Sequence, residues 1–365
     1  MTPFIVELKK FFSVPKNLVF MILGPLALTL FFGYVFSNDY VNGIPIAVCD
    51  MDGSALSRSV SELFSNDDRY EIIYYTHDLE SIKELVDTKQ VYMGLVIPKN
   101  FQKDMKSKKG TTAALMVDGT NIAIANNAVA TASEILNTIN AGVNIQFLSG
   151  KGTPERLSEN YVKLFAFNTR ILWDQKLSYR YYIMPGMVLV LIQQLFLSVF
   201  VINYIKDQEN VILKALIHIV TGMFSYRICL LLLNEILNVK LLGHVGIATA
   251  ILGVYLVCLT GMGMTIGALT RNSLRATQFC MMMSLPTFLT AGYVWPMFKM
   301  PAITTWIVKL FWPLIYMVSP LRDYLIKGSF PAEFRNGFIQ LLVFGAFWLM
   351  MGRWISKKRL LTKEA

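Results

Sequence analysis

Residues 183–205 read IMPGMVLVLIQQLFLSVFVINYI, an apolar run without a charged side chain. A helix needs about 20 such residues to cross a hydrocarbon layer about 30 Å thick. Further apolar runs cover residues 222–241, 245–269, 277–295 and 338–355. The sequence therefore predicts an α-helical integral membrane protein.

The composition supports this class. Of the 365 residues, 54% are hydrophobic and 16% are charged, which is too apolar for an ordinary soluble protein. The net charge of +10 suits either nucleic acid or the anionic face of a membrane. Because basic residues flank the apolar runs, we expect membrane lipid as a partner and no nucleic acid.

The N-terminal part predicts a surface helix followed by a first crossing. Residues 1–17 carry apolar side chains at helical spacing, which is typical of an interfacial elbow helix. Residues 18–40 begin with an uncharged apolar run and offer no small-x-small cleavage site, so we expect a retained transmembrane helix. Lysines precede this helix, and the positive-inside rule therefore places the N-terminus in the cytoplasm.

Residues 41–178 predict an inserted extracytoplasmic α/β domain that is long enough for its own core. Strands are expected at 44–48, 70–75, 91–97, 115–117 and 165–173. Helices are expected from a cap at Ser54 to residue 63, over 77–88 and over 122–148.

Residues 179–355 predict transmembrane helices 2 to 6. A segment at about 299–330 is cut by Pro313 and Pro320, so we expect it to be re-entrant or interfacial. Residues 356–365 form a basic cytoplasmic tail. The predicted fold is therefore six transmembrane helices with an inserted extracytoplasmic α/β domain, with both termini in the cytoplasm.

Two aspartates, Asp50 and Asp52, suggest an alternative function for the chain. Asp50-Met51-Asp52-Gly53 after a strand resembles the Asp-x-Asp-Gly-Thr opening of haloacid-dehalogenase-type phosphatases, in which the carboxylates attack phosphorus and position Mg²⁺. That chemistry also needs a second acidic pair at a strand end, but Asp67-Asp68 comes too early and Asp118 stands alone. The other interpretation is that the aspartates end a strand and start the helix at Ser54.

Other motifs indicate neither a nucleotide nor a metal site. Gly261-x-Gly263-x-x-x-Gly267 lies inside an apolar run, which favours close helix packing over dinucleotide binding. The sequence has no Gly-x-x-x-x-Gly-Lys-Ser/Thr loop, so any ATP must be bound by another subunit. The histidines are scattered without ligand spacing, and we expect no metal site. They are His77, His218 and His244.

Polar side chains within the apolar runs are candidates for a substrate path, because such groups are unfavourable in hydrocarbon. They are Gln193, Gln194, Asn234 and Glu235, with Glu235 favoured. The alternative is that they bond neighbouring helices or a second subunit.

Several motifs, in order, resemble those of ABC-2 type transporter permeases. Residues 44–58, IPIAVCDMDGSALSR, are similar to the family's IPVAVVDxDxSxLSR. Residues 182–186, YIMPG, resemble its Y-hh-PG, where h is apolar. Residues 291–301, AGYVWPMFKMP, then 313–316, PLIY, and 321–328, LRDYLIKG, follow SGFIFPxxxMP, PLTY and LRxxxLKG.

The resemblance implies a permease subunit of an ATP-driven exporter in the bacterial cytoplasmic membrane. The substrate class would be hydrophobic or amphipathic, such as a drug or a lipid. Expected partners are a cytoplasmic ABC ATPase subunit, a second permease in a homo- or heterodimer, and a periplasmic adaptor. The chain itself would be no enzyme and hold no cofactor, because ATP and Mg²⁺ belong to the partner.

The resemblance also implies a coupling element after the second helix, with the motif Glu-x-Gly-Thr-x-Glu. Glu209 matches the first Glu, but Val211-Ile212 replaces Gly-Thr and Lys214 takes the place of the second Glu. This departure suits one half of an asymmetric pair. The expected coupling residues are Lys206, Asp207, Gln208, Glu209 and Asn210. Besides a phosphatase-like enzyme, a membrane-anchored sensor or scaffold is the alternative function.

Overall fold

The computed structural model describes residues 3–37, 42–107, 111–120, 122–150, 173, 178–270, 272–332 and 334–364. The chain divides into two compact units. We call Met1–Asp39 together with Leu172–Ala365 the helical unit, and Tyr40–Ile171 the inserted unit. The inserted unit interrupts the helical unit once along the sequence.

Two helices precede the inserted unit. Helix α1 covers Pro3–Ser13 and α2 covers Pro15–Val35. Val14 between them is extended, and α2 begins earlier than residue 18 because proline is favoured at the first position of a helix. Within α2, a π-helical stretch at Val19–Leu23 precedes Pro25, which has no N–H to give to the preceding turn.

The inserted unit contains a four-stranded sheet with the order β2-β1-β3-β4. Its first three strands are parallel, and β4 runs antiparallel to β3. The strands are β1 Ile44–Asp50, β2 Tyr70–Thr76, β3 Met93–Ile97 and β4 Ala114–Val117. These strands confirm the predictions in this region, and the strand expected at 165–173 lies outside the described residues except for Trp173.

Helices cover both faces of this sheet. They are α3 Ala55–Ser65, α4 Leu79–Asp87, α5 Phe101–Lys106 and α6 Ile122–Gly150. Alternate side chains of β1 enter different cores: Ile46 and Val48 pack with α3, α5 and α6, whereas Ala47 and Cys49 pack with α4. A strand buried on both faces reads as a continuous apolar run, which is why β1 was predictable. Helix α5 was not predicted.

After the inserted unit, the chain is helical. The helices are α7 Tyr179–Lys206, α8 Val211–Glu235, α9 Val245–Thr270, α10 Ser273–Thr290, α11 Ala302–Phe311, α12 Val318–Lys327 and α13 Phe334–Glu364. Of the candidate spans, α7 and α9 are the most buried. They form the centre of one apolar core that includes Phe196, Phe200, Tyr255 and Leu259.

Five of the described helices are long and apolar enough to cross a membrane, namely α2, α7, α8, α9 and α13. The segment predicted to be re-entrant bends by 104° between α11 and Pro313–Lys327, and this pair would make a sixth if it were one span. Helix α10, predicted as the fifth crossing, is 18 residues long and is not among the five.

The limits predicted for the third crossing, residues 222–241, were wrong. Helix α8 begins eleven residues earlier and ends at Glu235. The reason is that Lys214 and His218, which look unfavourable at a membrane helix, are buried and hydrogen-bonded. After Glu235 the chain leaves the helix, and Asn238 has a positive φ of 53°.

The glycine motif in α9 packs helices closely, as predicted. A Cβ atom on Gly261 would lie 2.6 Å from the backbone nitrogen of Leu349 in α13. A Cβ atom on Gly263 would lie 2.7 Å from the ring of Phe200, and one on Gly267 the same distance from Tyr204. Small residues therefore let α9 approach both α13 and α7.

Candidate functional site

The five residues expected to couple to an ATPase lie together at the junction of α7 and α8. Lys206 ends α7, and residues 207–210 form a short turn before α8. Asn210 adopts the left-handed conformation, with φ 47° and ψ 38°, which Asn tolerates better than most residues. Lys206, Glu209 and Asn210 are exposed, whereas Asp207 and Gln208 are half-buried.

The carboxylate of Asp207 connects this turn to α1 and α8. Its Oδ2 lies 2.6 Å from Nζ of Lys214 in the first turn of α8 and 3.5 Å from Nζ of Lys10 in α1. Its Oδ1 accepts a hydrogen bond from the backbone N–H of Glu209 at 2.9 Å. The hydrogen bond from Lys214, then that from Glu209, holds the pKa of the Asp207 carboxyl below its usual value. Asp207 is therefore an anion between two cations.

Helix α1 joins the same network. Glu7 is buried and lies 3.2 Å from Nζ of Lys10, and the side chain of Asn210 donates to Glu7 at 3.5 Å. The hydrogen bond to Glu7 raises the pKa of the Lys10 ammonium above its usual value. We call Glu7, Lys10, Asp207, Asn210 and Lys214 the elbow-turn cluster.

A second polar layer lies beneath this cluster and joins α2, α7 and α8. Nδ2 of Asn203 donates to Oδ1 of Asn17 at 3.2 Å and lies 3.0 Å from Nε2 of His218. Nδ1 of His218 lies 2.6 Å from the carbonyl oxygen of Lys214. Since a carbonyl only accepts, Nδ1 carries the proton and Nε2 accepts from Asn203, so the imidazole is neutral.

These two layers line a cavity of about 170 Å³. The contacts join α1, α2, α7 and α8 at one end of the helical unit. The exposed turn at residues 206–210 contacts α1 and α8 directly, and α2 is joined to α7 through Asn17 and Asn203. The described part of the chain has no group of three or more His, Cys, Asp or Glu residues suited to a metal ion.

Gln193 and Gln194 lie mid-way along α7 and contact other helices. Gln193 is fully buried and accepts a hydrogen bond from the hydroxyl of Tyr255 in α9. The amide of Gln194, oriented so that its nitrogen meets acceptors, donates to the carbonyl of Cys280 at 3.0 Å and to Ser284 at 3.2 Å, both in α10. These amides therefore link α7 to α9 and α10.

Asn234 and Glu235 are the last two residues of α8, whereas the predicted crossing at residues 222–241 placed them within a helix that continued beyond them. Oδ1 of Asn234 accepts from the backbone N–H of Leu241 at 3.1 Å, and its Nδ2 donates to Glu235 at 2.6 Å. Glu235 is exposed. At a rise of 1.5 Å per residue, this pair lies about 15 Å farther from the α7–α8 turn than Gln193 does. The four candidate path residues therefore lie at two different distances from the α7–α8 turn along the helix axes.

A further cluster of contacts joins the three motif segments at residues 182–186, 291–301 and 321–328. These residues were not predicted as a site from the sequence. The hydroxyl of Tyr293 accepts from the backbone N–H of Gly186 at 2.9 Å, and a Cβ atom on Gly186 would lie 2.3 Å from its ring. The guanidinium of Arg322 lies 5.0 Å from the ring centre of Tyr293 and 5.3 Å from that of Tyr182. In the sequence, the only indication of this cluster was that the three motifs occur in the family's order. The order of motifs does not show that their residues are in contact.

Asp50 and Asp52 in the inserted unit support the turn interpretation. Oδ1 of Asp50 accepts from the backbone N–H groups of Asp52 and Gly53, each at 2.9 Å, and Oδ2 accepts from the Ser57 hydroxyl at 2.7 Å. Oδ2 of Asp52 accepts from the N–H of Gln102 at 3.1 Å. The hydroxyl of Ser54 lowers the pKa of Asp52. Both carboxylates thus brace the start of neighbouring helices.

The comparison with known families agrees with the motifs. The family model described as "ABC-2 family transporter protein" matches residues 16–354. The chain belongs to the ABC-2 transporter family. The resemblance noted in the sequence is confirmed, and the protein is a multi-pass membrane subunit of an ABC transporter. Family membership implies that ATP is hydrolysed by a partner ATPase subunit.

Two relatives of this ABC-2 protein come from Escherichia coli (strain K12). "Probable multidrug ABC transporter permease YbhR" is 20% identical over 334 residues, covering 87% of this chain and 85% of the relative. "Probable multidrug ABC transporter permease YbhS" is 26% identical over 156 residues, covering 42% and 41%. Similarity to YbhR thus extends over most of both chains.

Proposed function

We propose that the chain is the permease subunit of an ATP-driven exporter that moves a hydrophobic or amphipathic substrate out of the cytoplasm or the inner leaflet. The elbow-turn cluster and the polar layer beside it carry this proposal, because together they join an exposed turn to α1, α2, α7 and α8. Family membership and the multidrug names of the two relatives support it. ATP and Mg²⁺ belong to the partner ATPase.

The charge pattern supports a cytoplasmic position for this end of the helical unit. Lys206 ends α7, Lys357 of α13 lines a cavity with Gln208 of the turn, and Arg275 closely follows the end of α9, where Gly267 packs against Tyr204 of α7. By the positive-inside rule this end faces the cytoplasm. With α10 as the fifth crossing, six helices place both termini inside and the inserted unit outside a bacterial cytoplasmic membrane.

Motion of the ATPase subunits would pull on the turn and, through Asp207 and Lys10, on α1. Helices α2, α7 and α8 would then tilt together, and a path beside a second permease subunit would open outward. Gln193 and Gln194 would keep α7 joined to α9 and α10 during this motion. Asn234 and Glu235, at the far end of α8, would border the exit of the path.

The loss of Gly-Thr at Val211-Ile212 favours a heterodimer in which the second permease carries the complete motif. The inserted unit is the candidate attachment point for a periplasmic adaptor. With either partner, the turn at residues 206–210 keeps its proposed role as the contact with the ATPase subunit.

The test is reconstitution of the chain in lipid vesicles with an ABC ATPase subunit encoded beside it and, where needed, a second permease. We expect ATP hydrolysis stimulated by a hydrophobic drug, and loss of that stimulation in Asp207→Asn and Glu209→Gln. Glu80→Gln, an exposed carboxylate of the inserted unit, is the matched control. Drug binding without stimulated hydrolysis or transport would instead support a sensor or scaffold.

A further inference from the structure

A second cavity opens on the other side of α8, between α8, α9 and α13. Its volume is about 800 Å³, within the range of about 300–1,000 Å³ that is usual for ligand pockets. Apolar side chains form its walls, among them the exposed Ile212, Leu216 and Val257. These walls lie within the helical unit, toward the end where α7 meets α8. We call this cavity the α8 groove.

The rim of the α8 groove is basic and rich in hydrogen-bond donors. Arg353 and Lys357 stand one turn apart on α13, and both are exposed. Gln208 and Asn210, from the α7–α8 turn, complete the rim, and the amide of Asn210 also donates to Glu7 in the elbow-turn cluster. None of the described residues that line the groove is Asp or Glu. The groove thus combines an apolar interior with a cationic mouth.

We propose that the α8 groove binds one anionic phospholipid of the inner leaflet. The phosphate lies between Arg353 and Lys357, and the acyl chains run along α8 and α9. Basic pockets between transmembrane helices on the cytoplasmic side suit anionic lipid headgroups. Arg is well matched to phosphate because its planar guanidinium can form two parallel hydrogen bonds.

The position of this lipid has a consequence for the turn. A headgroup held at Arg353 lies beside Gln208, on the opposite face of α8 from Lys214 and His218. The lipid therefore braces the start of α8 from one side while Asp207 and Lys214 hold it from the other. This inference rests on the cytoplasmic position proposed above for this end of the helical unit and does not depend on export.

Native mass spectrometry of the purified chain tests the lipid site without an ATPase. The protein is exchanged into detergent containing dioleoyl phosphatidylglycerol or dioleoyl phosphatidylcholine. We expect the native chain to retain one phosphatidylglycerol. We expect R353Q/K357Q to retain it about thirtyfold less, since each of the two basic groups contributes on the order of 1 kcal/mol near a headgroup and about 1.4 kcal/mol is a factor of ten.

The control is R275Q/K358Q, which removes two charges from the same end of the helical unit but does not line the groove. A second variant, Val257→Trp, keeps the charges and fills the apolar wall, and it should also lose the lipid. Equal losses in R353Q/K357Q and in the control would overturn the proposal, as would equal retention of phosphatidylcholine. Displacement of the lipid by millimolar inorganic phosphate would overturn it too, because a phosphate site alone would then explain the binding.

Discussion

Lys214 holds Asp207 by two contacts: its Nζ lies 2.6 Å from Oδ2 and donates to the backbone carbonyl of the same residue at 2.8 Å. Lys214 is largely buried. In the family motif, an acidic residue takes this position. Lys214 therefore fixes the turn from within the helical unit, and Glu209 is the exposed carboxylate of the turn.

Replacing Lys214 by Met should loosen the turn and α1, because Asp207 loses its nearest cation while the apolar stem is kept. Breaking a charged hydrogen bond of this kind costs on the order of 1–3 kcal/mol. We expect amide hydrogen exchange in residues 3–13 and 207–210 to speed up about tenfold. Lys206→Met, at an exposed lysine of the same turn, is the control and should change little. Unchanged exchange in Lys214→Met would show that the ion pair does not hold the turn.

The elbow-turn contact should also depend on pH. Bonding to Lys214, and then to the Glu209 amide, lowers the pKa of Asp207 in the folded chain. The resulting stabilisation is therefore complete above the usual Asp pKa of about 4 and is lost as the pH falls through the lower folded value. Exchange in residues 3–13, corrected for its intrinsic pH dependence, should stay constant from about pH 7 to 5 and rise below about pH 4. Asp207→Asn should abolish this rise, and a rise that survives in that variant would assign it to another group.

Gly261→Ala should separate α9 from α13. The new Cβ atom would lie 2.6 Å from the Leu349 nitrogen and 2.8 Å from the Trp348 carbonyl carbon, and backbone atoms cannot move aside cheaply. We expect a destabilisation of about 1–3 kcal/mol, seen as a lower melting temperature in detergent. Gly246→Ala on the same helix is the control, because its nearest neighbour is 3.7 Å away. Equal melting temperatures for the two variants would mean that this helix contact is loose.

Arg322→Lys should weaken the cluster around Tyr293, although it keeps the charge. The guanidinium stacks near two tyrosine rings and bonds Asp323 at 2.9 Å, and an ammonium cannot reproduce the planar contact. We expect a loss of about 1 kcal/mol in stability. Lys327→Arg, which keeps its ion pair with Asp323, should be close to neutral. If both variants melt alike, stacking contributes nothing measurable.

Asp50→Ala should destabilise the inserted unit and leave no enzymatic deficit. The substitution leaves two backbone N–H groups and the Ser57 hydroxyl without their acceptor, at a cost of about 1–3 kcal/mol. The native chain should not hydrolyse p-nitrophenyl phosphate in the presence of Mg²⁺. Magnesium-dependent hydrolysis that disappears in Asp50→Asn would revive the phosphatase interpretation.

The sheet and most helices were predictable because their patterns are local. In β1, the continuous apolar run predicts a strand buried on both faces, and Ser54 caps α3 by accepting from the N–H of Ser57, as expected. The start of α8 was not predictable, because hydropathy penalises Lys214 and His218 wherever they lie. Only their distant partners, Asp207 and Asn203, make them suitable for a buried helix.

The candidate site also has a part that could be predicted from sequence and a part that could not. The turn at residues 206–210 was located from sequence because charged residues interrupt two apolar runs. Its attachment to Glu7 and Lys10 could not be predicted, since roughly 200 positions of sequence separate these residues from the turn, as in the contact between Glu7 and Asn210. Tyr293 and Arg322 lay within quoted motifs, but their contact depends on how α7, α12 and the turn after α10 meet.

Whether the turn at residues 206–210 lies on the cytoplasmic side of the membrane can be measured by thiol labelling. All four native cysteines are buried, so Glu209→Cys places one exposed thiol at the turn and Glu80→Cys places one on the inserted unit. Spheroplasts are treated with a membrane-impermeant maleimide before and after permeabilisation. We expect position 80 to be labelled in intact spheroplasts and position 209 to be labelled only after permeabilisation. Labelling of position 209 in intact spheroplasts would contradict the proposed function, because no cytoplasmic ATPase could then reach the turn.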